Sequence, residues 1–155
     1  IILNTDTIRL LNNHLQTTSV SQNRKKWERE LATDNTRREA QAVQDAAETL
    51  HENFVKRAFQ TDSICQLATA SPHPVLVCGD FNSLPSSYTY HRLSESLKDG
   101  FKTGGHGYMY TYRYGKRMLR IDYAFHSPEL ECTDYYSPNL DLCSDHNPVI
   151  FTVKY

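Results

Sequence analysis

The sequence predicts a mixed α/β (α+β) domain, a layered β-sandwich flanked by helices, and three observations carry that expectation. From about Gln22 to Phe59 there is no Gly or Pro, and Ala, Glu, Gln, Arg and Lys dominate, so this stretch is helical. Val75 to Cys78 is a short apolar run of the kind found in a strand covered on both faces. Further on, Leu119, Ile121, Tyr123 and Phe125 alternate with Arg120, Asp122 and Ala124, the period-two pattern of a strand with one apolar side.

The elements follow in order. Ile1 to Leu3 and Thr7 to Leu11 read as two short strands joined through Asn4, Thr5 and Asp6. In the helical stretch Leu50, Phe54, Ala58 and Phe59 form an apolar stripe, and Asp34, Asn35 and Thr36 offer N-caps, so two helices are expected rather than one. Ser71, Pro72, His73 and Pro74 break the pattern before the Val75 strand. Ser86 and Ser87 cap a short helix through about Leu97, and four glycines between Gly100 and Gly107 predict a flexible or tightly turned loop. Met109 to Tyr114 and Met118 to Phe125 then make a hairpin around Gly115 and Lys116, which places Arg120 and Asp122 on one face. Cys132 to Tyr136 and Val149 to Val153 complete the strands.

With 155 residues the chain fits one domain, 1–155, able to bury a single core. An opening on the apolar triplet Ile1 to Leu3, without Met, predicts a piece of a longer protein. Seventeen Lys and Arg against 18 Asp and Glu leave no global positive field, so any polyanion must be held locally. No apolar run approaches the ~18 residues that a membrane helix needs. Cys65, Cys78, Cys132 and Cys143 form no C-x-x-C pair; buried thiols are the first reading and zinc ligands the second.

Chemistry concentrates where strands end. Asp80 and Asn82 follow the buried run and, two apart, project to one side of an extended chain. Asp122 lies opposite the apolar side of its strand, and Asp145 with His146 precedes the last strand. Hard carboxylate oxygens hold Mg²⁺, and a carboxylate-bound histidine exchanges a proton near neutral pH; phosphate ester hydrolysis uses both. Singly, each residue also has a structural reading: Asp80 and Asn82 as turn residues, Asp145 as a turn cap, Asp122 as the partner of Arg120.

Gly79-Asp80-Phe81-Asn82, Arg120-Ile121-Asp122-Tyr123 and Ser144-Asp145-His146-Asn147-Pro148 resemble, in order and spacing, the G-D-F-N, R-I-D-Y and S-D-H-x-P motifs of the endonuclease/exonuclease/phosphatase superfamily, the DNase-I-like fold. Asn12-Asn13-His14-Leu15 is similar to its N-x-H-L strand end, and the resemblance runs from Thr7 to Tyr155. It implies that the chain holds mainly the C-terminal half of that sandwich. It implies a catalytic dyad of His146 and Asp122, with Asp80 activating the nucleophile or assisting the leaving group and Asn82 bonding the phosphoryl oxygens. His14 would grip the scissile phosphate, and Asp145 would contact the metal, Mg²⁺ or Mn²⁺. Thr111 and Tyr112 match the family's threonine-aromatic strand, and with Tyr108, Tyr110 and Tyr114 they read either as a substrate wall or as sheet packing; of two basic groups, Arg24 to Lys26 reads as a solvated helix face, and Lys116, Arg117 and Arg120 read as residues that meet a phosphate-rich substrate near the dyad.

The resemblance also implies a glutamate and an asparagine metal ligand upstream of His14, and none of the glutamates here stands at that position. The expectation is therefore a metal-dependent phosphoesterase acting on a phosphodiester or phosphomonoester in nucleic acid, a phospholipid head group or a small metabolite. The isolated fragment is expected to be inactive and to self-associate through an exposed sheet face. The alternative is a binding or assembly module that retains the fold without catalysis. By analogy with bacterial relatives, a membrane anchor on the parent protein is expected, with this domain soluble.

Overall fold

The computed structural model describes residues 2–3, 6–19, 23, 28–29, 32, 36–114, 118–140 and 143–155. The expected turn at Asn4 and Thr5, the caps Asp34 and Asn35, the basic run Arg24 to Lys26 and the tip Gly115 to Arg117 lie outside them. The chain divides into two compact units, the first Ile1–Leu15 with Gln60–Tyr155 and the second Gln16–Phe59. Among the described residues no helix is long and apolar enough to cross a membrane.

In the first unit, β1 (Ile2–Leu3) pairs antiparallel with β2 (Asp6–Thr7), so Asp6 belongs to a strand and not to the turn. β3 (Arg9–His14) then runs parallel to β4 (Val75–Asp80), β4 is antiparallel to β6 (Asp122–His126), and β6 to the two-residue β5 (Lys98–Asp99), giving the order β3-β4-β6-β5. β7 (Glu131–Tyr136) and β8 (Ile150–Lys154) form a separate antiparallel pair. The helices with described bounds are α1 (Thr36–Thr69), α2 (Tyr88–Ser94) and α3 (Gly100–Gly104).

The apolar run at 75–78 behaves as its composition demands. Val75 and Val77 enter a core with Tyr123 and Phe125 of β6, Phe81, Tyr90 and Leu93, and with Ile64, Cys65 and Ala68 from the end of α1. Leu76 faces the other way, toward Ile8 and Leu130, and Ala124 joins Met109, Cys132 and Tyr135 there. Alternate side chains thus feed two apolar layers, which is why β4 reads as continuous rather than alternating.

Five further expectations are corrected. α1 begins where the caps suggested but continues to Thr69, because only Pro72 stops it. Its buried face in the first unit is Ile64, Cys65 and Ala68, whereas Phe54 and Phe59 of the expected stripe are more than half exposed. Ser87 does cap α2, its hydroxyl accepting from the Tyr90 amide, but the helix ends at Ser94. The glycine-rich stretch, expected as a flexible or tightly turned loop, opens with the short helix α3 and is closely packed: a Cβ at Gly100 would meet the Tyr135 ring at 2.8 Å, and one at Gly104 the Cys132 carbonyl oxygen at 2.7 Å. The 109–125 hairpin is reduced to one bridge, Tyr112 to Leu119, before β6 begins. Cys65 and Cys132 are buried thiols as expected, while Cys143 is exposed.

Gly79 carries the tightest backbone constraint. Its φ of +132° lies where L side chains are strained, and a Cβ there would fall 1.8 Å from the Asn13 carbonyl oxygen across the β3–β4 ladder. Gly79→Ala should therefore lower stability by more than about 1 kcal/mol, read as a shift of the urea midpoint of the full-length protein; an unchanged midpoint would mean that the two strands can separate at this point at no cost.

Candidate functional site

Sheet register builds the site. Asp80 at the end of β4 is the lateral partner of His14 in β3 and of Asp122 in β6, so three strand ends present a histidine and two carboxylates in one row. His146 arrives from the segment before β8 and places Nδ1 2.8 Å from Asp122 Oδ2, with Nε2 4.0 Å from Asp80 Oδ2. His14 Nε2 stands 3.5 Å from the same Asp80 oxygen, on a side chain that is 75% exposed. Asp80, Asp122 and His146 line an open cleft of about 400 Å³ that continues past Asn12, Cys78, Pro148 and Phe151.

Asn82 is held by its own loop. Its φ of +48° is a left-handed conformation that Asn tolerates better than most residues. There its backbone N–H donates to Asp80 Oδ1 at 2.8 Å, and Nδ2 donates to Asp80 Oδ2 and to the Leu15 carbonyl oxygen, both at 3.1 Å. The carboxamide thus orients Asp80 and ties the loop to the end of β3.

Like charges placed directly opposite one another in a sheet repel, and Asp80 and Asp122 are such a pair. Burial raises the proton affinity of Asp80 and the Asp122 charge raises it further, against the opposing pull of the Asn82 N–H. The hydrogen bond that the His146 ring donates to Asp122 raises the His146 pKa above its ordinary 6.5, and the charges of Asp122, Asp80 and Asp145 act in the same direction against partial burial. Because Nδ1 is committed to Asp122, Nε2 is the nitrogen presented to the cleft.

The other predicted residues divide. Asp145 stays outside the cluster; its carbonyl oxygen accepts from Arg113 N–H at 2.8 Å, and its charge reaches His146 only through space. Thr111 is fully buried and does not face a ligand. Its hydroxyl accepts from the amides of Ile121 and Asp122 at 3.0 and 3.1 Å, its N–H donates to the Leu119 carbonyl oxygen, and its own carbonyl oxygen accepts from Asn147. It braces both halves of the dyad. Tyr112 does reach the site, with its ring 5.2 Å from the His146 ring in an edge-to-face contact.

Arg120 is turned away, against the expectation that it meets substrate beside Asp122. Its guanidinium forms a two-pronged pair with Asp99 at 2.7 and 3.1 Å and lies over the Tyr123 and Phe101 rings, 8% exposed. The reason is a break in the strand: β6 begins only at Asp122, so residue 120 does not obey the alternation that would have paired it with Asp122. Asp99, which receives Arg120, the Tyr90 hydroxyl and the Phe101 amide, carried no signal in the sequence. Asn147 was also missed: both atoms of its side-chain carboxamide are buried with no hydrogen-bond partner among the described residues.

As to a cation, one ligand atom each from Asp80, Asp122 and His146 lies within 4.8 Å of the others. The two carboxylates fit a hard divalent ion that draws the rest of its shell from water and phosphate oxygens. The imidazole is less suited, since its Nδ1 already serves Asp122.

Residues 14–146 match the family described as the endonuclease/exonuclease/phosphatase family. Among solved structures, an endonuclease/exonuclease/phosphatase from Bacteroides vulgatus is 26% identical over 66% of this chain and 44% of its own, with a TM-score of 0.54. A conserved protein of unknown function from Enterococcus faecalis is 18% identical over 65% and 45%, with a TM-score of 0.59. Truncated TDP2 from Caenorhabditis elegans shares the fold at 17% identity over 94% and 54%, with a TM-score of 0.54. The chain therefore spans about half or less of the length of each. No curated protein matches it.

Two outcomes follow from this geometry. In Asp122→Asn the His146 ring should titrate at lower pH than in the wild type, as followed by its Cε1–H resonance. Linkage gives the stability of the dyad the same sign: it is fully present below pH 6.5 and lost as pH rises through the raised folded value. Arg120→Leu should cost about 3–5 kcal/mol, because it leaves Asp99 charged and alone in the core; urea melts showing a loss below ~1 kcal/mol would return Arg120 to the surface role.

Proposed function

The chain belongs to the endonuclease/exonuclease/phosphatase family, and from that premise we propose that the full-length protein is a divalent-metal-dependent phosphoesterase that hydrolyses a phosphodiester or phosphomonoester by direct attack of water. The observation that carries this reading is the aligned row of His14, Asp80 and Asp122 with the His146 ring held at 2.8 Å. Two carboxylates kept side by side in a sheet weaken the fold, and a module that only needed the fold would have no use for them.

The chain's own residues divide the work according to their electrostatics. His146 is favoured as imidazolium, so its Nε2–H is a charged donor for a phosphoryl oxygen. Asp80, with raised proton affinity, is the better acceptor for the proton of the attacking water. Asp122 holds the imidazole in one orientation, and Asn82 does the same for Asp80. His14, exposed at the rim, is placed to contact a phosphate from the other side. Mg²⁺ or Mn²⁺ near Asp80 and Asp122, when bound, would neutralise charge on the phosphate and ease deprotonation of water. The near-zero net charge supports a compact phosphorylated substrate over non-specific duplex DNA, whose binding neutralises many phosphates at once.

The test is Mn²⁺-dependent hydrolysis of bis(4-nitrophenyl) phosphate and 4-nitrophenyl phosphate by the full-length protein. His146→Ala should lose at least ~100-fold, the scale of a general acid or base, and excess EDTA should abolish the wild-type rate. If the wild-type protein with Mn²⁺ cleaves neither ester, or if His146→Ala retains full activity, the proposal fails.

A further inference from the structure

Two tyrosines before Leu119, Tyr112 and Tyr114, form a feature that the catalytic residues do not need. Tyr112 contacts His146 edge to face at 5.2 Å, and Tyr114 in turn contacts Tyr112 at 5.9 Å with an interplanar angle of 65°. Tyr114 is nevertheless 65% exposed. The rings therefore make a continuous aromatic ledge that starts at the proposed proton donor and ends in solvent.

The ledge is fixed rather than loose at its inner end. The Tyr112 N–H donates to the Leu119 carbonyl oxygen at 3.0 Å, and the next residue, Arg113, is tied through its N–H to the Asp145 carbonyl oxygen at 2.8 Å and through Nη1 to the Ser144 carbonyl oxygen at 2.9 Å. The segment is thus clamped between the strand leading to Asp122 and the loop carrying His146. A ring used only to fill a core would be covered, as Tyr90, Tyr123 and Tyr135 are. A ring pinned beside the site and left open to water offers its face to a ligand instead.

We propose that Tyr114, backed by Tyr112, is a stacking subsite for a planar aromatic ring carried by the substrate, so that the phosphoester hydrolysed is a nucleotide or oligonucleotide rather than a sugar phosphate. This rests on the phosphoesterase reading of the adjacent site. Every base has a π-face, so stacking selects for a base without selecting which one. It also supplies what the balanced net charge does not, a grip on a nucleotide that needs no row of cations.

The discriminating pair is adenosine 5′-monophosphate and ribose 5-phosphate, which present the same 5′-phosphate with and without a base. For the full-length protein with Mn²⁺, the ratio of kcat/KM for the two should favour the nucleotide by at least about fivefold, the low end for one stacked base. That ratio should fall toward unity in Tyr114→Ala and be retained in Tyr114→Phe. In EDTA, where turnover stops, quenching of tyrosine fluorescence should show the same order of affinity and the same dependence on residue 114. Hydrolysis of both esters with a ratio that Tyr114→Ala does not change overturns the ledge and leaves the phosphoesterase standing. Absence of hydrolysis of these two esters and of both 4-nitrophenyl esters, with Tyr114-dependent binding of the nucleotide, overturns the phosphoesterase and keeps the ledge. Absence of both overturns each.

Discussion

The site depends on the register of three strands. β3, β4 and β6 are aligned so that His14, Asp80 and Asp122 fall in one row, and a slip of one residue in any of them would turn a member to the opposite face of the sheet. Gly79 pins that register, because only a residue without Cβ allows the Asn13 carbonyl oxygen to come as close as it does. The Asn13 side chain reinforces the same point by donating to the Leu11 carbonyl oxygen at 3.0 Å and to that of Cys78 at 3.4 Å. The backbone therefore sets the distances between groups before any side chain chooses a rotamer.

What the register brings together is electrostatically costly, and the surroundings offset that cost. Two carboxylates are opposed across β4 and β6; one is neutralised by the His146 ring and the other is bonded by the Asn82 backbone and side chain. Thr111 fixes the amide of Asp122 and the carbonyl oxygen of Leu119, and its own carbonyl oxygen holds the amide after His146. On the core side of β6 the Tyr123 hydroxyl lies 2.8 Å from the Ser83 carbonyl oxygen and 2.7 Å from that of Arg120, which couples the loop after Asn82 to the approach of Asp122. A buried, fully bonded Asp99–Arg120 pair closes the same region from beneath, with the guanidinium stacked on aromatic rings. Rigid support of this kind is what a site needs if its donors are to meet a reacting phosphate without rearranging.

Several of these elements were legible in one dimension. The Val75 to Cys78 run gave the central strand, the Ser87 cap gave α2, and the motifs around Asp80, Asp122 and His146 located the dyad and its neighbour. Legibility failed where a residue's role depends on a break in periodicity. Arg120 sits two residues before Asp122 but ahead of the first ladder pair of β6, so alternation placed it in the cleft while the fold placed it in the core. Thr111 reads in the sequence either as a substrate wall or as sheet packing, and local pattern does not choose between them; the fold does, since two backbone amides consume its hydroxyl. The apolar stripe of α1 was assigned to Phe54 and Phe59, which are exposed, because helical spacing identifies a face without saying what covers it.

By itself the sequence determined which chemical groups this protein has and in what local frames: short motifs at strand ends encode their own turns, such as the left-handed Asn82 and the Cβ-free Gly79, and local conformation depends on neighbours a few residues away. Tertiary structure alone decided which of those groups meet. The Asp80–Asp122 opposition, the 2.8 Å contact of His146 with Asp122, the capture of Arg120 by Asp99 and the line of rings from His146 to Tyr114 join residues up to 42 positions apart in the chain or across a change of direction. Such contacts depend on sheet register and on which face each strand turns to the core, and those are set by the packing of the whole unit rather than by any segment of it.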